Sequence, residues 1–442
     1  MEHTQTKLSL ASPNLAINGG KPTRKKPWKD NFTTGLREQL AAMRAVRSGY
    51  LSLFEGSHTP DEPFSFSGGP EVQRLEKEWS DFYFIGHSIS MNSATSGLFA
   101  SIGALGIGYG DEVIVSPFTM TACALAPLIY GAIPVFADVL PETGCLDPSS
   151  IRAKVSVRTK AIVVVHQFGF PAPMREIMAI AAEFDLKVVE DCAQAHNLTI
   201  NGKLAGTIGD IGVFSLNVNK TIQAGEGGVC VTNDPELAYR LKLIRNHGEA
   251  VVGPAAYDHI LNIAGFNYRM TEVTAAISRQ QLKRLPKLTE QRLVMVEKFS
   301  LLLEEFDYLD PLMNNTQGGA RNRIVPGAYY VFPMNFSSER AGISRQEFVD
   351  ALEREGIPLG LGYVRPLYLQ PIYQNRTLFK NGYPFDAPAN EGTQQEFNRG
   401  ICPTAERLHF ESLITSEHVR PPNKDDYFKT FRKALGKLRV SI

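Results

Sequence analysis

The sequence predicts an α/β protein: a mainly parallel sheet covered by helices, followed by a smaller C-terminal α+β unit. Three observations carry this. Between residues 93 and 232, short apolar and β-branched runs alternate with longer stretches of helical period. Runs such as Ala161-Ile-Val-Val-Val165 are apolar at every position, as strands buried on both faces are. Beyond a helical tract ending near residue 303 the units become shorter and more mixed. A chain of 442 residues exceeds one ordinary core, so two domains are expected.

Residues 1–64 read as an N-terminal arm. Pro22, the basic run Arg24, Lys25 and Lys26, and Pro27 interrupt any periodicity, and Asp61-Glu-Pro63 closes the segment. Residues 65–290 form the expected large domain. Small and apolar residues after Ser93 predict a helix over 93–105; Glu112-Val-Ile-Val115 is a strand, and residues 123–130 are helical. Strands follow at 133–137, 161–165 and 186–190, with an amphipathic helix at 174–184 between the last two. Residues 212–215 and 229–232 fit two more strands. A long helix over 271–303 leads into the small domain, 291–442. There Tyr329-Tyr-Val-Phe-Pro-Met334, a helix over 344–355 and a closing helix over 425–438 are expected.

Composition narrows the function. Lys plus Arg equals Asp plus Glu at 46 each, so no basic excess points to nucleic acid. The apolar runs are too short to span a bilayer, and the N-terminus lacks the apolar core of a signal peptide. Cys123, Cys145, Cys192, Cys230 and Cys402 are scattered without CxxC pairs. They read as reduced residues of a cytoplasmic protein, with no disulfide frame and no metal site.

Lys220 stands in a Gly-rich turn, five residues after Ser215 and just before Gly225-Glu-Gly-Gly228. A lysine so held can form a Schiff base with a carbonyl cofactor. Asp191 follows the apolar strand 186–190, at the carboxyl end where open parallel sheets bind ligands. A carboxylate there can keep a pyridine nitrogen protonated, so the pair describes a pyridoxal phosphate site. Thr95, Ser96 and Gly97 open a helix; free amides with small hydroxyls at a helix start make an anion site or, equally, an N-cap box.

With these segments in place, the chain resembles the DegT/DnrJ/EryC1/StrS sugar aminotransferases. The resemblance rests on Ser93-Ala-Thr-Ser-Gly97, Gly131-Ala-Ile-Pro-Val-Phe-Ala-Asp138, Glu190-Asp-Cys-Ala-Gln-Ala195, the stretch 214–234, Arg245-Asn-His-Gly248 and Gly265-Phe-Asn-Tyr-Arg-Met270, in family order over about residues 65–435. It implies the aspartate-aminotransferase fold type I, pyridoxal 5′-phosphate fold class, with a mostly parallel seven-stranded sheet. It implies Lys220 and Asp191 as catalytic residues, and Thr95, Ser96 and Ser215 as phosphate contacts. Gln194 matches the residue that meets the cofactor's phenolic oxygen. Asn267 matches an asparagine reaching the phosphate of the neighbouring subunit, which implies a homodimer with shared sites. Where many members stack an aromatic ring on the cofactor, this chain aligns Met120, with Phe118 as the nearby alternative.

The loop 362–371 carries Tyr363 and Arg365 where many nucleotide-sugar members have a histidine; a guanidinium there suits a carboxylate or phosphate, or is a surface charge. His166 and Tyr329 are further substrate candidates, and His166 and His247 are alternatively structural. The resemblance implies amino transfer from glutamate or glutamine to a keto sugar, cyclitol or related ketone, in two half-reactions at one site. A dehydratase on the same fold uses histidine in place of Lys220. A non-catalytic, cofactor-binding regulator is the alternative from another class.

Overall fold

The computed structural model describes residues 7–55, 65–253, 256–312 and 327–439. Its centre is a seven-stranded sheet: β1 His87–Met91, β2 Glu112–Val115, β3 Ile133–Phe136, β4 Thr159–Val165, β5 Lys187–Asp191, β6 Ile211–Ser215 and β7 Gly228–Thr232. The spatial order is β1-β7-β6-β5-β4-β2-β3. Only β7 runs against its neighbours. In β2, β3, β6 and β7 every residue is buried, because both faces are covered.

The helices over the sheet are α1 Leu36–Arg47, α2 Pro70–Tyr83, α3 Ala94–Ala104, α4 Ala122–Ile129, α5 Pro148–Lys154, α6 Met174–Phe184, α7 Pro235–Arg245 and α8 Glu272–Leu303. Their starts are chemically marked. Ser93 Oγ accepts the Ser96 N–H, Asp234 accepts those of Glu236 and Leu237, and Thr271 accepts that of Thr274. The 32 residues of α8 span about 48 Å. Its first half packs on α1 and α2, and its second half buries Val296, Phe299 and Leu303 next to the small unit. The domain boundary expected at residue 290 therefore falls inside one continuous helix. The small unit holds a four-stranded antiparallel sheet in the order Leu309–Pro311, Phe332–Phe336, Leu413–Ser416, Gly360–Leu361. Helices Arg345–Arg354 and Lys424–Leu438 accompany it.

Several elements escaped the sequence reading, α2, α5 and α7 among them, and two show why. The arm contains α1, whose docking side is Glu38, Ala41 and Ala45, not a run of large apolar residues. The Glu38 carboxylate accepts from Gln281 at 2.7 Å, Arg284 at 2.9 Å and the Gly35 N–H at 2.7 Å. Small residues and a buried carboxylate give a close contact with α8 and no hydrophobic period. The second element is β1, His-Ser-Ile-Ser-Met. Its buried hydroxyls are paired, Ser88 with Ser80 at 2.8 Å and Ser90 with Glu76 at 2.9 Å. Elsewhere the arm folds onto the small unit, where Glu355 accepts the N–H groups of Ala16 and Thr23. Asp61-Glu-Pro63 lies outside the described residues. Among those described, no helix is long and apolar enough to cross a membrane.

Candidate active site

The carboxyl edge of the sheet gathers the chemistry. Met91 pairs with Gly228, and Gly228 with Ser215, so the ends of β1 and β6 and the start of β7 meet at one level. Asp191 ends β5 and pairs with Val213, two residues before Ser215. The α3 N-terminus follows β1 directly. A Cβ on Gly228 would lie 2.6 Å from the Ala94 nitrogen, so glycine lets the helix start rest on β7. Ser96 is buried, its hydroxyl 2.9 Å from Ser93 Oγ and 2.5 Å from Asn92 Oδ1; Thr95 is exposed. The Ser215 hydroxyl is buried and accepts the Asn217 N–H at 3.3 Å. First-turn amides of α3 lack intrahelical partners and add donors to these hydroxyls.

Asp191 is 5% exposed. Its Oδ1 accepts the Ala193 N–H at 2.9 Å, and its Oδ2 accepts the Cys123 S–H at 3.1 Å. Gln194 is fixed at both ends of its amide. Its Oε1 accepts the Phe168 N–H at 2.8 Å, and its Nε2 donates to the Tyr363 hydroxyl at 3.3 Å. Lys220 sits in the turn after β6, which Asn31 of the arm braces by donating to the carbonyls of Val218 at 3.2 Å and Lys220 at 2.7 Å. The Lys220 Nζ lies 4.2 Å from the centroid of the Tyr330 ring. Among the described residues its ammonium has no carboxylate within ion-pair distance. Burial lowers it below the usual lysine range, and the charges of Asp191 and Glu226 oppose that shift without cancelling it. His196 is fully buried beside Phe214 and pushed down to about 3, first by burial and then by the Lys220 charge.

The remaining expected residues divide. Phe118 is sealed between Phe168 and Tyr363, whereas Met120 is 60% exposed, so of the two only Met120 can reach an open crevice. Tyr363 is half-buried against Phe168 at 5.0 Å, and Arg365 is exposed two residues on. The Leu367 N–H on the Pro117 carbonyl, at 2.9 Å, ties this loop to the segment bearing Met120.

His166 is a correction. It is fully buried, its Nδ1 accepts the Ala172 N–H at 3.1 Å, and its Nε2 donates to Glu190 at 3.0 Å. Neither nitrogen is left for substrate. Glu190 in turn accepts three backbone N–H groups, from Gly206, Ile208 and Gly209, so in the cluster of His166, Glu190 and Cys192 the imidazole and the carboxylate are engaged by the protein's own groups. Tyr329 is a second correction. Its ring is buried against Phe170 at 5.2 Å, and it is the adjacent Tyr330 that meets Lys220. Tyr329 has φ 46, and this left-handed kink decides which tyrosine points where. Arg292 holds the kink by donating to the carbonyls of Tyr329 at 3.1 Å and Tyr330 at 3.3 Å. Asn267 is exposed, its side chain taking Arg269 Nε at 2.8 Å and its carbonyl the Asn92 amide at 3.2 Å. Tyr330, Cys123 and Asn31 were missed. Only the Tyr-Tyr pair gave a signal, and it pointed one residue too early.

Residues 62–388 match the profile of the DegT/DnrJ/EryC1/StrS aminotransferase family. The chain is 31% identical over 447 residues to the L-glutamine:2-deoxy-scyllo-inosose aminotransferase of Streptomyces kanamyceticus, covering 98% of each protein. It is 32% identical over 321 residues to the spore coat polysaccharide biosynthesis protein SpsC of Bacillus subtilis, covering 71% of this chain and 80% of that one. The crystal structure of an aminotransferase from Psychrobacter cryohalolentis superposes with a TM-score of 0.75 at 29% identity, over 93% of this chain and 98% of that one. The fold is thus that of the fold type I aminotransferases, and the chain belongs to the DegT/DnrJ/EryC1/StrS aminotransferase family.

Proposed function

We propose that the chain moves an amino group from glutamate or glutamine to the keto group of a sugar, cyclitol or related ring ketone, with pyridoxal 5′-phosphate as cofactor. One observation carries the reading. A lysine with a lowered ammonium pKa and, among the described residues, no ion-pair partner shares a sheet edge with a buried carboxylate and a helix start rich in hydroxyls. That donor set fits the cofactor group by group. Lys220 would bind its carbonyl carbon, Asp191 its ring nitrogen, Gln194 its phenolic oxygen, and Thr95, Ser96 and Ser215 its phosphate. When bound, the cofactor supplies an electron-poor ring that accepts the electron pair of a carbanion.

The chain's own residues supply the rest. Lys220, whose charged form burial disfavours, takes the proton from the donor's α-carbon and later returns one to the product. Asp191 holds a positive charge on the ring nitrogen. Met120 covers the open side. Donor and acceptor use one site in turn, which gives ping-pong kinetics. Asn267 reaches the phosphate of a second copy, making the enzyme a homodimer with shared sites. Five buried, unpaired cysteines suit a cytoplasmic protein.

For the acceptor, exposed Arg365 favours a ring bearing an anionic group, such as a nucleotide-linked sugar. A neutral cyclitol is the second reading. It is favoured by end-to-end coverage of a relative named for 2-deoxy-scyllo-inosose. Amino transfer from nitrogen-labelled glutamate or glutamine to a panel of keto sugars and cyclitols tests the activity, and absence of label from every product overturns it. Arg365→Leu separates the acceptors. The Michaelis constant for an anionic acceptor should rise about tenfold with the donor half-reaction unchanged; no change favours the cyclitol.

A further inference from the structure

Cys123 lies in the first turn of α4, fully buried, with its sulfur 3.1 Å from Asp191 Oδ2. Two other buried cysteines behave as core thiols do: Cys145 contacts the Phe170 carbonyl at 3.7 Å and Cys402 that of Phe136 at 3.9 Å. Cys123 instead meets a charged side chain. A carboxylate turns readily about its last torsion. Here one donor stands at each oxygen, the Ala193 N–H on Oδ1 and the Cys123 S–H on Oδ2, and together they set the plane of the group.

We infer that Cys123 is a positioning residue: its S–H orients the Asp191 carboxylate toward the pyridine nitrogen of the cofactor. The inference rests on the function proposed above. The thiol is suited to the task. Burial, followed by the charge of Asp191, pushes it well above the usual thiol range, so it stays a protonated donor at any working pH. A thiol is also a weak donor. It fixes direction while drawing little on the carboxylate's basicity, which the ring nitrogen needs.

The test compares two ligands on the full chain freed of cofactor: pyridoxal phosphate, and its analogue with carbon in place of the ring nitrogen. Binding is measured for wild type, Cys123→Ala and Cys123→Ser. Wild type should favour the nitrogen-bearing ligand. Cys123→Ala should cut that preference roughly fivefold while the carbon analogue binds within about twofold of wild type. Cys123→Ser, which keeps a donor, should retain the preference. Equal weakening of both ligands in Cys123→Ala would show a packing role only, and an unchanged preference would show no role; either overturns the inference. A wild type that does not distinguish the ligands would instead remove Asp191 from the ring nitrogen, and this inference with it.

Discussion

Replacing Asp191 by asparagine keeps the shape of the side chain and removes its charge. The group is 5% exposed, so its charge acts in a medium far less polar than water. Opposite unit charges about 4 Å apart are worth roughly 4 kcal/mol at an effective dielectric near 20. The part that grows as the ring accepts electrons should raise the barrier by about 2–4 kcal/mol. That slows the donor half-reaction by roughly 30- to 1,000-fold. The neighbours add a second cost. Ala193 and Cys123 both donate, at 2.9 and 3.1 Å, but an asparagine amide offers only one acceptor atom. One donor must face an NH2 group, at about 1 kcal/mol of folding stability. Single-turnover absorbance with glutamate measures the first effect and thermal melting the second. A folded Asp191→Asn enzyme whose half-reaction runs within about threefold of wild type would refute the assignment of Asp191.

Borohydride should fix pyridoxal phosphate to Lys220 alone, and Lys220→Ala should bind the cofactor without fixation and lose transfer; a peptide map with another lysine modified removes the central role. The cofactor-free protein should gain stability as pH rises toward 10.5, because the unfolded chain holds the Lys220 proton more tightly than the fold does, and Lys220→Met should flatten that limb. His196 acts with the same sign in the acid range. With its folded value near 3 and its ordinary value 6.5, stability falls as pH drops through that window, and His196→Phe should blunt the loss in a pH series of melting curves. Mixing inactive Lys220→Ala with an Asn267→Ala chain should restore activity through hybrid dimers; a fully active monomer in sedimentation would end the shared-site proposal.

The sequence by itself determined the alternating strands and helices, because a two-faced buried strand and a capped amphipathic helix each carry a local pattern. Ser93 before α3 and the apolar runs of β4 and β5 are of this kind. It also singled out Lys220 and Asp191 as candidates, since an amine in a Gly-rich turn and a carboxylate after a strand leave a linear trace, and the family resemblance added Gln194. What docked by small residues or a buried charge left no such trace: α1 through Ala41, Ala45 and Glu38, and β1 through paired serines. The tertiary structure alone decided which side chains converge from distant segments. Cys123 reaches Asp191 across 68 positions, Asn31 braces Lys220 across 189, and Tyr330 takes the place beside the lysine. It also withdrew His166 into a pairing with Glu190 and turned Tyr329 into the core. A residue's type is written in the chain, but its orientation follows from backbone kinks and partners that only packing brings together.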